Sequence, residues 1–269
     1  MPLTELMNYF NDQLQTQSHT EFLPKIGFFK SNNAYMARFG NLILGSKFHQ
    51  IHYTDEDELF AHESELLVRS AAGNPLNIDN IFNSLDSTGQ IIQLDRLVRT
   101  LHSLNYLQQI DMQKNEGSKG LLALPVQPRH IISVVDDHGK AFENILSDCG
   151  LGPERVLLHT RLVDDATLKH FHKALSNYRQ RDYKIGISLM QPQDLNLLEK
   201  FDFEPDVIFV KDFIFQGATK SRALDLLPYY NSSLIIVSAQ TPLEPIDAIF
   251  QGSLVNYEAL SGHETISIR

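Results

Sequence analysis

Two short runs near the C-terminal end, Val207-Ile208-Phe209-Val210 and Leu234-Ile235-Ile236-Val237, are apolar at every position. A strand with one face in water alternates. A strand buried on both faces need not, and such strands belong to parallel sheets covered by helices. The rest of the chain from residue 121 follows the same plan. Strand patterns over 121–126, 155–160, 184–190, 206–211 and 233–238 are separated by helical patterns over 140–148, 164–179, 193–200 and 221–227. A last strand is expected at 249–254. Repeated β-α units of this length predict a barrel-like α/β fold.

The N-terminal part reads differently. Leu3, Leu6, Met7, Phe10 and Leu14 recur at helical spacing over 3–15. Residues 26–53 read as short strands, with hairpin turns at Asn32-Asn33 and Phe39-Gly40-Asn41. The acidic run from Asp55 to Glu58 is a solvated turn. It leads into His62-Glu63-Ser64-Glu65-Leu66-Leu67-Val68-Arg69, in which Glu65, Leu67 and Arg69 share one face of a strand. Two opposite charges on a largely apolar strand are either a weak surface ion pair or part of a site, since burial without a partner is costly. A short helix near 79–85, a break at Ser87-Thr88-Gly89 and a longer helix over 91–107 follow. No repeat, low-complexity tract or linker divides the chain.

Composition narrows the function. No apolar run approaches the roughly 18 residues that would span a bilayer. The first residues carry no signal-peptide pattern. Cys149 is the single cysteine, so internal disulfides and thiolate metal clusters are excluded and a cytoplasmic location is the default expectation. A net charge of −10 argues against a nucleic-acid polymer as partner. It leaves room for a small anion held by local cations. His170 and His172 lie two apart in a helical stretch and point to different faces, a poor chelating pair. The acids of Asp136-Asp137-His138 and Asp164-Asp165 fall at helix starts, where they cap. Gly117-Ser118-Lys119-Gly120 lacks phosphate-loop spacing and reads as a turn.

The order of elements resembles the EAL domain, the bacterial cyclic di-GMP phosphodiesterase family. Glu65-Leu66-Leu67-Val68-Arg69 fits that family's E-x-L-x-R strand. Residues 81–95, ending in Leu94-Asp95-Arg96, look like its short helix, turn and L-D-R helix. Pro128-Arg129-His130-Ile131 is similar to its S-P-R-Q-L segment. Cys149-Gly150-Leu151-Gly152-Pro153-Glu154-Arg155 is similar to its G-L-x-P-x-R turn, and Phe250-Gln251-Gly252-Ser253-Leu254 to its late Q-G-Y-L. The resemblance covers about residues 45–262. It implies an α/β fold of the EAL type, a modified (β/α)8 TIM-like barrel, over 45–269. The helix and strands of 1–44 form an N-terminal extension that the family leaves unmatched.

The resemblance also implies lost chemistry. Metal-assisted hydrolysis needs several carboxylates at strand ends around two cations. Glu65 and Gln251 fall on retained positions. The family's other metal or catalytic positions fall on Pro125, Arg161, Ser188, Leu189, Phe209 and Ser238. Lys211, two places beyond Phe209, would share its face. The expectation is a degenerate EAL protein: no enzyme, no bound metal, no cofactor. Gln50 and Arg69 remain as nucleotide-binding candidates, with cyclic di-GMP the ligand to test. Arg161 is expected either to replace metal charge or to close the mouth by pairing with Glu65. Fewer residues than the family usually has separate Lys211 from the 234 strand, and Gln240 from Gln251. Trimmed helices there would expose apolar surface to a protein partner or a second copy. The function expected is regulatory contact with another protein, the alternatives being a cyclic di-GMP receptor and a residual phosphodiesterase.

Overall fold

The computed structural model describes residues 2–17, 25–53, 59–112, 120–134, 140–211, 214, 217–237 and 254–258. In chain order the elements are α1 (Leu3–Gln17), β1 (Ile26–Ser31), β2 (Ala34–Phe39), β3 (Leu42–Tyr53), β4 (Leu59–Ser70), α2 (Ile78–Ser84), α3 (Thr88–Met112), β5 (Leu121–Pro125), α4 (Pro128–Ser133), α5 (Lys140–Cys149), β6 (Val156–Thr160), α6 (Leu168–Arg179), β7 (Lys184–Leu189), α7 (Asp194–Lys200), β8 (Val207–Lys211), α8 (Thr219–Leu226), β9 (Ser233–Val237) and β10 (Leu254–Glu258).

Strands β4 to β10 run parallel in sequence order. β3 closes the ring antiparallel, pairing with β10 on one side and β4 on the other. Of the ten strands, β1 and β2 lie outside this ring, which leaves a barrel of eight. The all-apolar strands read from the sequence sit where they should, because helices cover the outer face and side chains fill the inner one. Ile51, Ala61, Ala123, Leu157, Val207, Phe209 and Ile235 pack together inside the barrel. Leu122, Leu124, Leu158, Ile185, Ile187, Leu189, Ile208 and Val210 alternate with them and pack outward with helical residues such as Phe142, Phe171 and Leu195.

A second core lies beside the barrel. β3 and β4 are 12 residues each, longer than the ring requires. Their projecting ends, with β1 and β2, form an antiparallel sheet packed on α1 and α3 through Leu6, Phe10, Phe28, Tyr35, Phe39, Leu44, Val68 and Leu101. Asn11 of α1 holds the outer strand, donating from Nδ2 to the Phe28 carbonyl at 2.9 Å and accepting from the Phe28 amide at 2.7 Å. Asn32 and Asn33 adopt positive φ in the β1–β2 turn, as its sequence suggested. The expected boundary at 44/45 thus falls inside the continuous strand β3.

The last strand among the described residues is β10, whose Leu254–Asn256 pair with Leu234–Ile236 of β9. Residues 249–253, which were expected to form it, lie outside the described residues. A helix, α8, connects β8 to β9 close to the expected 221–227. Residues 238–253, which include the second shortened connection, lie outside the described residues.

A buried polar bolt ties α3 to the C-terminal side of β5. Asp95 Oδ2 accepts from Arg99 Nε at 2.8 Å, Asp95 Oδ1 accepts from the Gln127 amide at 3.1 Å, and His130 Nδ1 lies 3.3 Å from Oδ2. Arg99 lies 4.4 Å from the centre of the Phe142 ring. The Arg99 and His130 charges and the Gln127 amide hold the Asp95 carboxyl below its ordinary range although burial pushes it up.

Candidate functional site

The barrel mouth is built from inward positions one and two steps above the apolar plug. Ile51 and Ala61 point in, so His49, Lys47, Glu63 and Glu65 do too. By the same alternation Pro125 follows Ala123, His159 follows Leu157, and Lys211 follows Phe209. Ser188 pairs in register with Phe209 on β8.

Aromatic stacking fills the centre. His159 stacks on Phe209 with ring centroids 4.4 Å apart and planes inclined by 26°. Gly186 makes room for this pair: a Cβ there would lie 2.8 Å from His159 Cβ and 3.1 Å from Phe209 Cε2. His159 Nδ1 is 2.9 Å from Ser188 Oγ, and Nε2 is 3.6 Å from Glu63 Oε1. Burial pushes the His159 pKa down to about 3, so the ring is neutral near pH 7 and its approach to Glu63 is not an ion pair. A neutral ring tolerates stacking in an apolar barrel where a charged one would not.

The rim is charged. Glu65 accepts from His49, Nε2 to Oε2 being 2.7 Å, and lies 3.6 Å from Lys47 Nζ. The hydrogen bond from His49 is the main reason its carboxyl is held below the usual range, with Lys47 helping and partial burial opposing. Its side chain is half exposed (50%), so the pair is a rim feature. Arg161, at the end of β6, reaches Asp194, with Nη2 to Oδ1 at 3.5 Å. Asp194 is itself buried and caps the turn into α7, accepting from the Met190 and Gln191 amides at 2.7 and 3.1 Å.

The expected Glu65–Arg161 pair therefore does not form. Each residue has a nearer partner on an adjacent element: β3 for Glu65 and the α7 cap for Arg161. Gln50 is not in the mouth. It alternates with His49 and shares a side with Phe48, whose ring meets His102 and Tyr106 of α3. Arg69 lies in the projecting sheet opposite Ile43 and donates to the Gly73 carbonyl at 3.2 Å. Leu189 belongs to the outer core and faces the helices. Pro125, Ser188 and Phe209 do gather at the mouth. Ser238 and Gln251 lie outside the described residues, as do Asp136, Asp137, His138 and residues 117–119. Asp164 caps as expected, accepting from the Thr167 amide at 2.9 Å. His170 bonds the Ile131 carbonyl at 2.7 Å while His172 meets the Phe201 and Phe203 rings, so the two do not converge. Among the described residues, no three His, Cys, Asp or Glu side chains form a metal-ligating group.

Sequence reasoning passed over His49, Glu63, His159 and Asp194. The available signal was the lone ionisable side chain in the strand Val156–Thr160, which is otherwise apolar but for its terminal threonine.

No family model and no curated protein sequence matches the chain. Solved structures do. The Klebsiella pneumoniae BlrP1 manganese and cyclic di-GMP complex is 20% identical over 74% of this chain and 50% of that one, with a TM-score of 0.55. A standalone EAL protein from Vibrio cholerae in its cyclic di-GMP-bound form is 12% identical over 79% of this chain and 89% of that one, with a TM-score of 0.58. The Xanthomonas citri FimX EAL domain in complex with cyclic di-GMP is 14% identical over 82% and 90%, with a TM-score of 0.54. The chain has the EAL-domain fold. It spans about half the length of the Klebsiella protein. Among the described residues no helix is long and apolar enough to cross a membrane.

Proposed function

We propose that this EAL-fold protein is a non-hydrolytic regulatory module that acts through contact with another protein in cyclic di-GMP-related signalling. The observation that carries this reading is the His159–Phe209 stack at the base of the barrel mouth. Two divalent cations and an attacking water need several free carboxylates. Here the inward positions of β5 to β8 hold a proline, a neutral histidine, a serine and a phenylalanine, and the inward carboxylates of the mouth, Glu63 and Glu65, both stand on β4. Glu65 is engaged by His49 and Lys47, and Arg161 brings a positive charge to the same rim. The solved EAL neighbours bound to cyclic di-GMP support the signalling context. Incubation with cyclic di-GMP and magnesium or manganese, followed by chromatography, should return the cyclic dinucleotide intact. Appearance of the linear dinucleotide would refute the reading.

A second reading is a cyclic di-GMP receptor. Lys47, Arg161 and Lys211 place three cations at the mouth, and Lys47 and Arg161 are each more than two-fifths exposed. Such a rim can face phosphates without metal. Calorimetry with cyclic di-GMP in the absence of divalent ions separates the readings. Heat that is lost in Arg161→Ala favours the receptor, and no heat leaves protein contact.

A further inference from the structure

The second core borders a half-open cavity that takes no part in the barrel mouth. It lies between α1, β1, α3 and α5 and has a volume of about 460 Å³, within the range of small-molecule sites. Its walls are mixed: Phe10, Phe28 and Leu97 give an apolar, partly aromatic side, and Gln93, Arg96 and Asp148 a polar one. Two polar groups among them are incompletely satisfied. Gln93 carries a buried Oε1 with no hydrogen bond. Arg96 is partly buried and makes no ion pair with any described residue. The adjacent acid, Asp95, is spent on Arg99 one turn along the helix. Burial and the Arg99 charge both work against the Arg96 guanidinium. Asp148 also lines the cavity, from the exposed last turn of α5.

We propose that this cavity is a binding site for a small organic anion with a flat apolar body, its charge held by Arg96 and its rings held against Phe10 and Phe28. A half-buried guanidinium with no ion-pair contact gains a charge-assisted bond from such a ligand, which an uncharged ring system cannot supply, while Asp95 and Tyr178 offset its charge only in part. Gln93 Oε1 is an acceptor and gains only from a ligand that also carries an N–H or O–H. The site is separate from the mouth: none of Glu63, Glu65, His159 or Arg161 lines it.

The dye 8-anilinonaphthalene-1-sulfonate has this chemistry, and N-phenyl-1-naphthylamine has the same rings without the sulfonate. Titration of the folded full chain with the sulfonate, followed by fluorescence, should saturate at one site per chain. The uncharged amine should bind at least about tenfold more weakly. Arg96→Gln should lose about tenfold or more in sulfonate affinity, while Arg161→Gln at the mouth should change nothing. Asn144→Trp, at an exposed position on the cavity wall, should block the dye without touching the charge. Cooperative melting of each variant checks that it is folded, and if Arg96→Gln does not fold, Asn144→Trp decides. Absence of saturable binding, equal binding of the amine, undiminished binding in folded Arg96→Gln or Asn144→Trp, or weakened binding in Arg161→Gln would overturn the proposal.

Discussion

Lowering the pH from 7 to 5 should cost this fold several kcal/mol, because three of its histidines are buried without charge. Burial pushes His62 down to about 4, and His102 and His159 down to about 3, from an ordinary 6.5. All three are at least nine-tenths buried. His102 sits under the β3 strand with Nδ1 2.8 Å from Ser46 Oγ, and His62 meets the Tyr106 ring edge-on. In the unfolded chain each takes up a proton as the pH falls through 6.5, whereas in the folded chain each stays neutral until about 4 or 3. The unfolded state therefore binds more protons, and stability falls with pH. At pH 5 an unfolded histidine is almost fully protonated and a folded one almost fully neutral. The difference is about 2 kcal/mol per residue, or roughly 6 for the three, against a typical total of about 5–15. Near pH 5 the slope should approach three protons, or about 4 kcal/mol per pH unit. Urea unfolding at pH 7, 6 and 5 measures this directly. His102→Gln should remove about one proton from the slope, whatever it does to stability at pH 7. A stability that is level from pH 7 to 5 would refute the assignment of neutral buried rings.

The remaining predictions concern single contacts. Gly186→Ala should destabilise by about 1–3 kcal/mol in chemical denaturation, since the new methyl meets His159 and Phe209, and combining it with His159→Ala should recover part of the loss. Asp95→Ala should cost about 3–5 kcal/mol by leaving Arg99 buried and unpaired, with a matching fall in melting temperature. Asp194→Ala should cost about 1–3 kcal/mol through the two unsatisfied amides at the start of α7. Glu65→Gln should change stability by less than about 1 kcal/mol, because its side chain is half exposed and Gln keeps an oxygen that can accept from buried His49.

The fold was legible in the sequence to the extent that periodicity reports burial. Strands such as Val207–Lys211 had to lie between two apolar layers, and helices had to alternate with them. The five ordered motifs narrowed this to the EAL type, and the α1 pattern of Leu6, Met7 and Phe10 marked a packed helix. The site was only half legible. Alignment brought Pro125, Ser188 and Phe209 to the mouth, but it also brought Gln50 and Leu189, which face outward. A strand's two faces differ by one residue, so a one-place error in register exchanges mouth for core.

Sequence alone thus determined that this chain builds a barrel largely of parallel strands and that Glu65 lies on one face of a strand among apolar neighbours. Only the tertiary structure decided what Glu65 and Arg161 do. Their partners, His49 of β3 for the one and Asp194 of α7 for the other, lie on neighbouring elements, and the choice follows from distance across closed strands. Likewise, nothing local marked His159 as the ring that meets Phe209. Barrel closure brings β6 and β8 together across Gly186, the one residue between them whose missing side chain leaves space for the stack.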